Sequence, residues 1–145
     1  MISRLNGRLI EKNPTDLLIE CAGVGYEVKI SLNTYSVLPN QEAIILYTKQ
    51  IIREDAHMLY GFASKDEREM FTHLISVSGI GPNTAIIMLS SMTPDEIAQA
   101  IRFLVENPEK AAEMGENGRK MVQNTYNWTA EEKKMLAFYQ KVLVS

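Results

Sequence analysis

From Met1 to about Phe62, apolar and polar residues alternate with a period of two. "RLNGRLI" sets Leu5, Gly7 and Leu9 on one face against Arg4, Asn6 and Arg8; Leu17, Ile19 and Cys21 alternate with Asp16 and Glu20; Tyr26, Val28 and Ile30 alternate with Glu27, Lys29 and Ser31. These are the patterns of half-buried strands. Asn13-Pro14 breaks the first from the second, and Gly23-Val24-Gly25 joins the second to the third through residues that tolerate positive φ. "LNTYSVLPNQ" has little period and reads as a connection. "AIILYTKQII" and "HMLYGF" follow as strands four and five around the charged tip Arg53-Glu54-Asp55. Five short strands in so few residues predict a small closed or nearly closed antiparallel barrel, because closure hides the edges that an open sheet would expose.

At Ser64 the period changes. Ser64-Lys65-Asp66-Glu67 has the form of a capping box, after which Met70, Phe71, Leu74 and Ile75 recur at helical spacing. That helix stops at Gly79 and Gly81. A second starts at Pro82 and runs through Ala85, Ile86, Met88 and Leu89; a third starts at a second box, Thr93-Pro94-Asp95-Glu96, and continues through Ile97, Ala100 and Ile101. Beyond Arg102 the composition differs. A helix is expected from Pro108 with Gly115 as its terminator, and a last helix from a box at Thr129-Ala130-Glu131-Glu132, with an apolar stripe of Met135, Leu136, Phe138, Tyr139, Val142 and Leu143 that needs a partner surface. The expected class is mixed, β then α: residues 1–63 a barrel, 64–101 a helical segment, 102–145 an added helical tail.

Charge and composition narrow the function. An apolar fraction of 46% suits a globular core, and with no apolar run of membrane-spanning length and no signal-peptide pattern the chain reads as cytoplasmic, with no membrane partner. Residues 1–101 carry 8 basic and 12 acidic side chains and residues 102–145 carry 7 and 6, so any contact with nucleic acid has to be local. Cys21, the single cysteine, reads as a small core hydrophobe. His57 and His73 lack metal-ligand spacing, and Glu67 and Glu69 fit the helix dipole of a first turn. No cofactor, metal or nucleophile constellation emerges.

"SVSGIGPNTA", residues 76 to 85, is open to two readings. Gly79 and Gly81 either let the chain reverse between helices, with Ile80 plugging the gap, or let a phosphate reach bare backbone amides at the start of the next helix. Helix, Gly-Ile-Gly turn, Pro-started helix and a small residue at Ala85 together describe a helix-hairpin-helix element, which holds nucleic-acid backbone without reading bases.

Residues 1 to about 101, with "MISRLNGRLIEKNPTDLLIECAGVGYEVKIS", "REDAHMLYGF" and "LISVSGIGPNTA", closely resemble the N-terminal part of the RuvA family, the Holliday-junction-binding subunits of the bacterial branch-migration complex. The resemblance implies an OB-fold barrel that assembles as a homotetramer, then helix-hairpin-helix elements gripping four-way junction DNA through Gly79, Ile80, Gly81, Asn83 and Thr84. It also maps the family's acidic pin onto Glu54 and Asp55, whose four symmetry copies would repel phosphates at the junction centre. The family leaves ATP hydrolysis to its motor partner RuvB, so this chain is expected to be no enzyme.

Departures from the family matter as well. Many relatives carry a basic residue where this chain has Asn83, so each phosphate contact should be weaker and less dependent on salt. The only candidate for a second hairpin is Gly115-Glu116-Asn117-Gly118, and the domain that contacts RuvB is expected to be missing. In its place, "LVENPEKAAEMGENGRKMVQNTYNWTAEEKKMLAFYQ" resembles the C-terminal helical end of GT-B glycosyltransferases, where this segment is a packing element. Trp128 then reads as a packing anchor, and Arg119 and Lys120 as a solvated face. Three functions are therefore open: a truncated or fused junction-binding subunit, an oligomeric structural module that has lost DNA binding, and a glycosyltransferase fragment, the last lacking any nucleotide-binding glycine loop.

Overall fold

A computed structural model describes residues 1–40, 42–54 and 56–143. They divide into two compact units, Met1–Gln99 and Ala100–Ser145, the division falling within a helix. In the first unit, β1 (Arg4–Lys12), β2 (Asp16–Cys21), β3 (Val24–Ile30), β4 (Ala43–Ile52) and β5 (His57–Phe62) close a barrel in the order β1-β2-β3-β5-β4. The five strands fall where the period of two places them. Four pairings are antiparallel; β3 and β5 meet in parallel, Lys29 opposite Tyr60 and Ile30 opposite Gly61. Leu5, Leu9, Leu17, Ile19, Val28, Ile30, Ile44 and Leu46 fill the interior, with Cys21 partly buried against them. β1 serves two neighbours by bending at a register shift between Leu9 and Glu11. Gly7 permits the tight wrap, since a Cβ there would lie 2.1 Å from the Glu20 carbonyl oxygen.

The connection "LNTYSVLPNQ" holds an unexpected helix, α1 (Leu32–Val37), capped by Ser31, whose Oγ accepts the Thr34 amide at 3.0 Å. Six residues are too few to show a helical period, which is why the sequence pattern is silent there. This short helix joins barrel to helices. The Leu32 amide donates to Ser90 Oγ at 3.0 Å, and Asn33 Nδ2 donates to the carbonyls of Leu89 and Met92, the latter at 3.1 Å.

Three helices follow: α2 (Lys65–Ser76), α3 (Pro82–Ser91) and α4 (Pro94–Glu106). Ser64 caps α2 by accepting the Glu67 amide at 3.1 Å, but Glu67 does not reach back to complete the box. Its side chain turns inward. Only 4% exposed, it accepts from Ser31 Oγ and, at 2.6 Å, from Thr34 Oγ1, which itself accepts the Ala63 amide at 3.0 Å. A buried carboxylate is tolerable when hydroxyls meet it in this way. At α4 the box is complete: Glu96 N–H donates to Thr93 Oγ1 at 3.3 Å and Thr93 N–H to Glu96 Oε2 at 2.7 Å. Those bonds, from the Thr93 amide first and its hydroxyl second, hold the Glu96 carboxyl below its ordinary pKa. A second core unites β5 with these helices. Phe71 packs between Tyr60 and Phe62, each ring centroid 5.0 Å away, with Leu74, Ala85, Leu89 and Ile97 around them.

In the second unit, α5 (Pro108–Asn124) runs without a break through Gly115 and Gly118. Gly115 is thus no terminator, and no hairpin forms at residues 115–118; negative φ at both glycines and the flanking helix formers carry the helix past them. α6 (Trp128–Leu143) is capped by Asn127, whose Oδ1 accepts the Ala130 amide at 2.9 Å, so the cap lies two residues before the expected Thr129. Neither helix buries a residue. Trp128 is 72% exposed and anchors nothing here. Arg119 and Lys120 are solvated and reach Glu116 at 3.2 and 3.8 Å. Among the described residues no helix is long and apolar enough to cross a membrane.

Candidate nucleic-acid interface

α2, the turn of residues 77–81 and α3 form a helix-hairpin-helix element in the first unit. Gly79 takes φ +89°, a left-handed conformation that disfavours any residue with a Cβ, so the fold itself accounts for this glycine. Ile80 is fixed from both ends. Its amide donates to the Val77 carbonyl at 3.1 Å and its side chain packs against the helical core. Ile80 therefore shapes the turn and has no amide left for a ligand.

Gly81 differs. It is the N-cap of α3 at φ −83° and ψ 167°, angles open to any residue, and a Cβ built there meets no atom within 4 Å. Neither conformation nor packing requires a glycine at this position. No side chain caps α3, and Pro82 removes one orphan amide, leaving the main-chain N–H groups of Asn83 and Thr84 at an exposed helix start. Such a terminus attracts anions through its amides and its dipole. Asn83 and Thr84 are both exposed.

The fold brings the base of the β4–β5 hairpin to the same place. A cavity of about 280 Å³ is bordered by Ile51, Arg53 and Ala56 on one side and Gly81, Pro82 and Asn83 on the other, with Tyr60 between. Arg53 is exposed and adds a positive charge beside the uncapped helix start. In the sequence it stands only as part of a charged tip. Its only signal was its place next to Glu54, because what sets it beside Gly81 is the packing of β5 on α3, 28 residues away in the chain. Glu54 is exposed in the turn after β4, which closes with the Arg53 amide donating to the Ala56 carbonyl at 2.8 Å. Asp55, the other half of the expected acidic pin, lies outside the described residues.

Tyr60 is 3% exposed, and its hydroxyl donates to Asn83 Oδ1 at 3.4 Å. Burial raises its pKa above the ordinary tyrosine value, with the Arg53 charge opposing that shift to a smaller degree. The phenol is accordingly a stable donor. Tyr60 and Asn83 also line a second, larger groove of about 620 Å³ toward Leu32 and Ile87. His57 and His73 are exposed, His73 3.8 Å from Glu69, and among the described residues no cluster of His, Cys, Asp or Glu could hold a metal ion.

Comparison with known proteins separates the barrel from the helices, and the helical match runs on across the boundary between the two units. Residues 1–61 match the family described as RuvA N terminal domain, and residues 71–124 match a SAM-like helix-hairpin-helix tandem. The Holliday junction branch migration complex subunits RuvA of Christiangramia forsetii and Flavobacterium psychrophilum are 56% and 55% identical over 101 residues, which is 70% of this chain and 52% of each relative. The subunit of Neisseria meningitidis serogroup C is 55% identical over 102 residues, 70% of this chain and 53% of the relative. The chain thus spans about half the length of the curated relatives it matches. Residues 1–61 thus match a RuvA N-terminal domain, and the closed five-stranded barrel is continued by a helix-hairpin-helix segment.

Proposed function

We propose that this chain is a RuvA-type subunit that binds four-way DNA and performs no catalysis itself. The observation that carries the reading is Gly81: a residue without a side chain, at an open helix start, where nothing among the described residues demands one. A phosphate approaching from outside does demand it. Gly79 and Ile80 set the turn, the amides at Gly81, Asn83 and Thr84 meet the phosphate, and Arg53 supplies charge that Asn83 lacks. Glu54 and Asp55 act as the pin at the centre of a homotetramer, repelling phosphates toward the binding faces. A RuvB-type motor supplies the ATP hydrolysis, and the complex works in the cytoplasm. The barrel domain is residues 1–63, the helix-hairpin-helix segment 64–101, and residues 102–145 are an appended tail with the character of a glycosyltransferase C-terminal end.

The continuity of α5 through Gly115 and Gly118 favours a second reading, a structural module with too few DNA contacts to function. Electrophoretic titration of a four-way junction and of a duplex of equal length separates the two. Tighter binding to the junction, without sequence preference, supports the first; equal or absent binding to both leaves the second.

A further inference from the structure

Asn83 can meet a phosphate only with its amino end, since its carbonyl oxygen would repel one. Which end faces outward is set by what holds the other. Tyr60 rises from β5, is almost wholly buried, and is locked by its ring contact with Phe71 at 5.0 Å. Its hydroxyl donates to Asn83 Oδ1, and among the described residues Asn83 Nδ2 has no acceptor. The pair stands where both grooves meet, one on the barrel and the other on the second residue of α3.

We propose that Tyr60 is a positioning residue for the DNA backbone: its buried hydroxyl holds the Asn83 carbonyl inward, so that the amide nitrogen faces the phosphate beside the α3 amides. This inference rests on the DNA-binding reading above and adds to it a role for a residue that no strand of DNA needs to touch. Tyr60→Phe keeps the ring and its packing on Phe71 and removes only the hydroxyl. The Asn83 amide can then flip, and the donor is presented part of the time.

The test is a double-mutant cycle on four-way junction binding, with wild type, Tyr60→Phe, Asn83→Ala and the double variant titrated at one salt concentration. Asn83→Ala is expected to weaken binding about ten- to a hundredfold, the worth of one hydrogen bond to a charged group, and Tyr60→Phe by less, because the donor is still presented part of the time. The double variant should be no weaker than Asn83→Ala alone. Multiplying effects would show that the hydroxyl acts elsewhere and overturn the inference, as would full affinity in Tyr60→Phe. Thermal unfolding of each variant distinguishes loss of fold from loss of contact. A wild-type protein that does not prefer the junction would overturn the DNA-binding reading itself, and this role with it.

Discussion

Glu67 offers the sharpest test of how the helices are held on the barrel. Its carboxylate is buried between two hydroxyls that are themselves fully buried, Ser31 and Thr34, and each hydroxyl also accepts a backbone amide. With their lone pairs so engaged, both hydroxyl protons need an acceptor, and Glu67 is the one within reach. In Glu67→Ala both protons are orphaned and a void is left. Hydrogen bonds to charged groups contribute roughly 1.5–3 kcal/mol each, so the loss of both should cost about 3–6 kcal/mol. Glu67→Gln retains one acceptor oxygen and presents an amino group to the other hydroxyl, which predicts about half that loss. Urea unfolding at fixed protein concentration, followed by far-ultraviolet circular dichroism, measures both; with a slope of about 2 kcal/mol per molar, the alanine variant's midpoint should fall by roughly 1.5–3 M. An alanine variant within about 0.5 kcal/mol of wild type, the ordinary range of a surface change, would refute the buried network. Glutamine as damaging as alanine would refute the assignment of two separate acceptor oxygens.

Other expectations follow from the same structure. Gly79→Ala places a Cβ at positive φ and should cost about 1–2 kcal/mol in the same unfolding assay. Gly7→Ala drives a Cβ into the Glu20 carbonyl and should destabilise the barrel by about 3 kcal/mol or prevent its folding, seen as loss of the native dichroism spectrum. Glu96 has a folded-state pKa below its unfolded one, so its contribution is complete above about pH 4.5 and disappears as pH falls through the depressed value. Glu96→Gln should accordingly flatten part of the stability decline between pH 5 and pH 3, measured by urea midpoints across that range.

The barrel was legible because its strands are half-buried, which imprints a period of two on each, and the helix starts were legible because capping is local chemistry. Features that depend on distant partners left no such mark. Glu67 completes a capping box in the sequence, yet the nearest buried hydroxyls in space claim its carboxylate, 33 and 36 residues away in the chain. Arg53 gains its place beside Gly81 only when β5 packs on α3. α1 is too short to show a period, and the glycines of α5 are outweighed by the helix formers around them. At the glycine turn the sequence left two readings open; Gly79 serves the chain reversal, while no conformational or packing demand within the described residues falls on Gly81.

That division makes Gly81→Asp the most direct measurement. Asp is a better N-cap than Gly by a few tenths of a kcal/mol or more, and its Cβ meets open space, so the variant should unfold no more easily than wild type. A carboxylate at the mouth of α3 should nonetheless repel a phosphate, and affinity for a four-way junction is expected to fall at least tenfold. Unchanged junction affinity in a folded Gly81→Asp protein would contradict the claim that DNA backbone is gripped there.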